Sequence, residues 1–227
     1  VQTCALPIWR SPMKILRNGF LLALLGFAST VQAQDEGCDA RSGVEFVCGP
    51  QNGEDLVSVP ETTWIISSGM APGAGLYLID SREATWSALE PRVDHDAAAF
   101  PGCATPPDSA ALITHGLNIR AGASGLAKLY VVAHGARESI EVYDVDTRSV
   151  APTLTWKGCV PLPEGLAANS VASFADGSLV ATVLFMPGTT FADAMSKKPT
   201  GAVFEWSPGD SRSEEHTSEL QSRTLIS

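Results

Sequence analysis

Short apolar runs recur along this chain between clusters of Gly, Pro, Asp and Ser. They fall at 56–59, 63–66, 76–79, 129–133, 140–143, 171–174, 179–184 and 202–206, and they are rich in β-branched and aliphatic residues. Beyond the N-terminal region no long stretch keeps a 3.6-residue apolar period, so the pattern predicts an all-β protein.

The runs also repeat. "EDLVSVPETTWIISSG" leads to "GLYLID", "HGLNIRAGASGLAKLYVVAHG" to "SIEVYDVD", and "NSVASFADGSLVATVL" to "GAVFEWSPGD". Each unit has a polar pair, a first strand, a turn, a second strand, a longer loop and a third strand. Asp176-Gly177 reads as the hairpin turn of the last unit. The polar pairs begin at Glu54, His115 and Asn169, 61 and 54 positions apart. A strand-only repeat near 50 residues predicts β-propeller blades. A β-sandwich would space its strands as evenly but would not need the three-fold echo. Propellers close with about four to eight blades. The three units are therefore expected to be about half of such a ring, its N-terminal part, spanning residues 34–210.

The chain ends change the picture. "VQTCALPI" and "RSEEHTSELQSR" resemble translated sequencing adapter, so residues 1–12 and 211–227 are set aside as non-native. From Met13, a basic start with Lys14 and Arg17 precedes the apolar run Phe20 to Phe27 and the small-residue pattern Val31-Gln32-Ala33. This predicts a signal peptide over 13–33, cleaved after Ala33, and a secreted or periplasmic protein. The apolar run is too short to span a bilayer core of about 30 Å. No other segment predicts a membrane span.

Residues 34–210 carry ten Lys and Arg against twenty-two Asp and Glu, a net charge of −12. Such a surface disfavours nucleic acid and anionic membranes and is compatible with cation binding. Four cysteines lie in this part: Cys38, Cys48, Cys103 and Cys159. An exported chain permits disulfides, and four cysteines leave three pairings open. Nearness in sequence favours Cys38–Cys48, and with it Cys103–Cys159. No C-x-x-C spacing points to zinc or redox chemistry. "VDHDAA" at 93–98 reads as a charged loop rather than a metal cluster.

In a propeller the first strand of every blade lines the central channel. Glu54, His115 and Asn169 hold the same place in successive units, so a carboxylate, an imidazole and an amide are expected at one mouth. Calcium takes six to eight oxygen donors of the carboxylate, amide and carbonyl kind. His115 and His134 begin and end one expected hairpin, which predicts that their rings meet. The bland alternatives are a structural channel histidine, a loop histidine before Gly135, a solvated acidic turn and a strand-start amide.

"NGEDLVSVPETTWIISSGM", "THGLNI", "LYVVAHGARESIEVYDVD" and "NSVA", in that order, resemble the paraoxonase/arylesterase family, which is related to the gluconolactonase and strictosidine-synthase-like propellers. The resemblance covers about residues 50–206. It implies a six-bladed calcium-dependent propeller that hydrolyses lactones or small esters. It further implies that Glu54 and Asn169 are ligands of a catalytic calcium, that His115 is the general base, and that His134 is its partner. Asp55 and the backbone carbonyl of Leu117 are implied as ligands of a second, structural calcium. The chain departs from the family at Ser170, a hydroxyl in place of a carboxylate ligand of that second ion. A non-catalytic propeller that binds a ligand or protein at its mouth, and a strictosidine-synthase-like enzyme with a degraded calcium site, are the competing expectations.

Overall fold

The computed structural model describes residues 46–215, so the signal-peptide expectation and Cys38 lie outside the described residues. The described chain is all-β apart from one short helix. Strands β1 (Gly53–Ser58), β2 (Trp64–Gly69), β3 (Leu76–Asp80) and β4 (Thr85–Ala88) form one antiparallel sheet in sequence order. A short strand β5 (Arg92–Val93) precedes the second meander: β6 (Ile113–Ala121), β7 (Leu126–His134), β8 (Ser139–Asp146) and β9 (Thr153–Pro161). Strand β5 pairs in parallel with the outer side of β9, making five strands. The third sheet runs β10 (Ala168–Ser173), β11 (Leu179–Val183), β12 (Ala202–Trp206) and β13 (Glu214–Glu215). The helix α1 (Phe191–Met195) lies in the β11–β12 connection, capped by Thr190 and Asp193.

Three meanders match the three units, but each has four antiparallel strands where the sequence predicts three. The reasons are local. All four residues of β4 are exposed, so it carries no apolar alternation. In β9, Lys157 is an extra residue opposite the Val142/Tyr143 step, and the buried set changes phase there, with Cys159 and Val160 both inside. Strand β13 falls in the stretch set aside as adapter-like, and it pairs with Phe204 and Glu205. The predicted turn at Asp176-Gly177 is present. Gly177 has φ +90°, and the Asp176 carboxylate accepts from the Ser178 N–H and hydroxyl.

The second sheet is buried on both faces, as period-two alternation allows. Leu129, Val131, Tyr143, Val145, Leu154 and Trp156 pack against Ile66, Leu76 and Leu78 of the first sheet. Tyr130, Val132, Ile140, Val142 and Val160 pack against Val171, Leu179, Ala181 and Phe204 of the third. Two apolar layers thus share one sheet. Cys103 and Cys159 are disulfide-bonded with Cα atoms 5.5 Å apart, tying the 94–112 loop to β9. Cys48 is disulfide-bonded as well.

Strand β6 lies against β1 and β10, the first strands of the flanking sheets. Every join involves a side chain. The Leu117 N–H donates to Asp55 Oδ2 at 2.7 Å, and the Gly69 N–H to Thr114 Oγ1 at 2.7 Å. On the other side Asn118 Oδ1 accepts from the Ser173 hydroxyl at 2.6 Å, and Arg120 donates to the Ser173 carbonyl at 3.1 Å.

Each of these first strands carries an irregularity at the same place. Gly53 pairs with Gly69 and Leu56 with Ser67, so Glu54 and Asp55 face the single Ser68. Thr114 pairs with Ala133 and Leu117 with Val131, so His115 and Gly116 face the single Val132. Ala168 pairs with Val183 and Ser170 with Thr182, so Asn169 is the inserted residue. These are β-bulges, which leave one residue outside the ladder and turn its side chain.

Gly116 fits this arrangement because a Cβ there would lie 2.6 Å from the Asn169 carbonyl oxygen and 2.8 Å from the Ser170 Cα. Both are backbone atoms, so neither can swing aside. Gly116→Val is therefore expected to push β10 off β6 and destabilise the fold by about 1–3 kcal/mol, the range for overpacking a tight contact. Thermal unfolding of the two proteins checks this. An unchanged midpoint would show that the two strands do not need this closeness.

Candidate functional site

The three bulges bring the polar pairs to neighbouring positions, and from two of them a chain of side chains runs inward. His115 Nε2 lies 3.4 Å from Glu54 Oε1. His115 Nδ1 lies 3.2 Å from His134 Nε2. His134 Nδ1 lies 2.6 Å from Glu138 Oε2. The order is carboxylate, imidazole, imidazole, carboxylate. The imidazoles are shielded, with side-chain exposures of 12% for His115 and 15% for His134, whereas Glu54 at 41% and Glu138 at 36% reach solvent.

Local structure explains each placement. Ile113 pairs with His134 across the β6–β7 ladder, and the bulge at His115 displaces that ring towards its neighbour. The four residues 135–138 then turn the chain into β8 and return Glu138 beside His134. Gly135 has φ +110°, and a Cβ on it would collide with the Ala111 carbonyl oxygen, so the turn is pressed against the 94–112 loop.

Behind the turn stands a fully buried carboxylate. Glu141 has 0% exposure and accepts four hydrogen bonds: Arg137 Nε at 2.8 Å, Arg137 Nη2 at 2.9 Å, the Ser139 hydroxyl at 2.6 Å and Trp156 Nε1 at 2.7 Å. Arg137 Nη1 also donates to the Thr105 carbonyl at 2.9 Å. A buried charge needs a partner and full hydrogen bonding, and Glu141 has both. Burial first, and then the Glu141 charge, pushes the Tyr143 hydroxyl far above its ordinary range.

The residues implicated by sequence divide into three groups. Glu54, His115 and His134 are brought into one contact chain. Asp55 and Leu117 also meet, through the Leu117 N–H, while the other Asp55 oxygen accepts from the Leu56 N–H at 2.8 Å. Asn169 is exposed on its bulge, with its backbone carbonyl turned to Gly116. Sequence reasoning missed Glu138, Arg137 and Glu141. The available signal was an Arg-Glu pair in a four-residue turn immediately after a histidine. In the "VDHDAA" stretch Val93 belongs to β5, Asp94 pairs with Lys157 at 2.6 Å, and His95 stacks on Trp156.

The donor chemistry at the bulges fits a hard cation in kind. Glu54 and Asn169 are exposed oxygen donors on the strands flanking β6, and calcium prefers such oxygens over nitrogen or sulfur. Two side chains are a minority of the six to eight oxygens such an ion takes. Among the described residues no group of three or more His, Cys, Asp and Glu side chains is gathered as a metal cluster. No described helix is long and apolar enough to cross a membrane. No protein-family profile matches the chain, and no curated protein matches it either.

The pairing of buried Glu141 with half-buried Arg137 gives a direct test. Arg137→Met would leave the Glu141 carboxylate buried with its strongest partner gone, at an expected cost of about 3–5 kcal/mol. Urea unfolding measures the cost. Pairing the change with Glu141→Gln should recover part of it, because the uncompensated charge is then removed.

Proposed function

We propose that the chain belongs to a calcium-dependent β-propeller hydrolase of lactones or small esters, similar to the paraoxonase and gluconolactonase enzymes, and that its three sheets are blades. The observation that carries this reading is the Glu54–His115–His134–Glu138 chain of contacts at a bulged strand end. An imidazole with a second imidazole behind it suits general-base work near neutrality. The central sheet, buried on both faces and flanked by similar meanders, supports the blade reading.

In this mechanism His115 takes a proton from the attacking water through Nε2 and passes its Nδ1 proton towards His134. Glu54 lies within reach of the same water. Glu54 and Asn169 are the described side chains that would hold the calcium. When bound, that ion supplies a positive charge that polarises the substrate carbonyl and stabilises the developing oxyanion. Asp55, bonded to the Leu117 N–H, holds β1 against β6 and so holds Glu54 beside His115. The shielding of both rings keeps bulk water from competing for the transferred proton. Exported protein and small-molecule substrate complete the reading, with neither nucleic acid nor membrane as partner.

Calcium titration tests it, following thermal stability and lactone hydrolysis on one sample. Turnover is expected to rise with calcium, to vanish on chelation, and to fall about 10²–10⁴-fold in His115→Gln, the range for a lost general base. Glu54→Gln is expected to lose the calcium response. Stability that rises with calcium without turnover would instead favour a ligand-binding propeller. No response to calcium would remove the metal roles of Glu54 and Asn169.

A further inference from the structure

The two imidazoles can share hydrogen bonds in either direction, and only one direction leaves His115 able to act as a base. The end of the chain decides which. A carboxylate can only accept hydrogen bonds. Glu138 Oε2, 2.6 Å from His134 Nδ1, therefore requires a proton on that nitrogen. In a neutral His134 the Nε2 is then a lone-pair acceptor, so the 3.2 Å contact must be donated by His115 Nδ1–H. His115 is left with its lone pair on Nε2, directed to the side where Glu54 Oε1 lies 3.4 Å away. At that distance, beyond the usual N–H···O range of about 2.7–3.2 Å, the Glu54 contact places no matching demand for a proton on Nε2.

The reverse direction has the opposite effect. With its proton on Nε2, His134 would donate to His115 Nδ1, and a neutral His115 would then carry its proton on Nε2. The base would face the reaction already protonated. Reversal changes no heavy-atom position and would still disable the site.

We propose that Glu138 is the positioning residue that fixes this direction, setting the tautomers of His134 and, through it, His115. The inference rests on the hydrolase reading for its functional consequence, whereas the tautomer assignment rests on the 2.6 Å and 3.2 Å contacts and on a neutral His134. The turn that carries Glu138 is built to hold it. Arg137, the preceding residue, is clamped between the buried Glu141 and the Thr105 carbonyl. The Glu138 carbonyl accepts from the Leu162 N–H at 3.0 Å, and Gly135 abuts the Ala111 carbonyl. A surface ion pair worth little would not need a four-residue turn fixed on both sides. Carboxylates behind functional imidazoles act in this way generally, by fixing the tautomer and the ring orientation.

Ring-nitrogen NMR of the histidine-labelled full chain reads each neutral tautomer directly, with or without turnover. The expected wild-type spectrum has His115 and His134 both protonated at Nδ1. In Glu138→Ala that pattern should be lost, and kcat for lactone hydrolysis should fall about 10²-fold with KM little changed. Glu138→Gln keeps an oxygen that can accept from Nδ1–H, so it should retain the tautomers and recover most of the rate. A wild-type His134 protonated at Nε2 overturns the proposal, and that result needs no variant to fold. Unchanged tautomers in Glu138→Ala overturn it equally. Tautomers that respond to Glu138 in a wild-type chain without lactone hydrolysis would uphold the positioning role and reject the hydrolase reading.

Discussion

A β-strand hands its side chains to two faces by turns, and a single inserted residue breaks that alternation. The candidate site depends on this break being made in the same place in three first strands. At β1 the insertion frees Glu54, at β6 His115 and at β10 Asn169. Without it, these residues would be committed to one sheet face or the other, where the neighbouring sheets press apolar side chains together. The bulge takes them out of that choice and delivers them to the strand end. It also demands a small partner. Beside His115 the chain must pass within backbone contact of β10, and Gly116 permits it.

The second constraint is polar and lies behind the first. Glu141 is charged and fully buried, and four donors from β8, β9 and the preceding turn converge on it. Such an arrangement contributes modestly to stability when complete and costs heavily when broken. Its value here is geometric. Arg137 reaches from Glu141 to the Thr105 carbonyl, so the turn before β8 has little freedom to drift. The half-buried Glu138 inherits this order from Arg137 and, behind it, the buried Glu141.

Much of the architecture was legible in the chain. Short apolar runs such as "LYVVA" and "IEVY" read as strands because they are, and the three-fold echo marks three meanders. The outer strands were not legible, for reasons specific to each. Strand β4 is exposed on every residue and so has no pattern to find. Strand β9 changes phase at Lys157. The meeting of His115 and His134 followed from their positions at the two ends of one hairpin. Glu138 did not follow, because its role comes from how a four-residue turn folds back. Arg137 and Glu141 resembled ordinary solvated charges, and only burial separates them from such residues. The bulges were equally hidden: an inserted residue shows in pairing, not in composition.

The second sheet is a simple meander in which β6 to β9 pair with their sequence neighbours. Contacts of short sequence separation form early and cheaply in folding. The imidazoles and Glu138 all belong to this one meander, so that half of the site can mature as soon as the sheet exists. Glu54 comes from a different sheet and joins only when β1 docks on β6. The site thus joins two kinds of contact, a local one within a single meander for the imidazoles and Glu138 and a long-range one between sheets for the outward carboxylate.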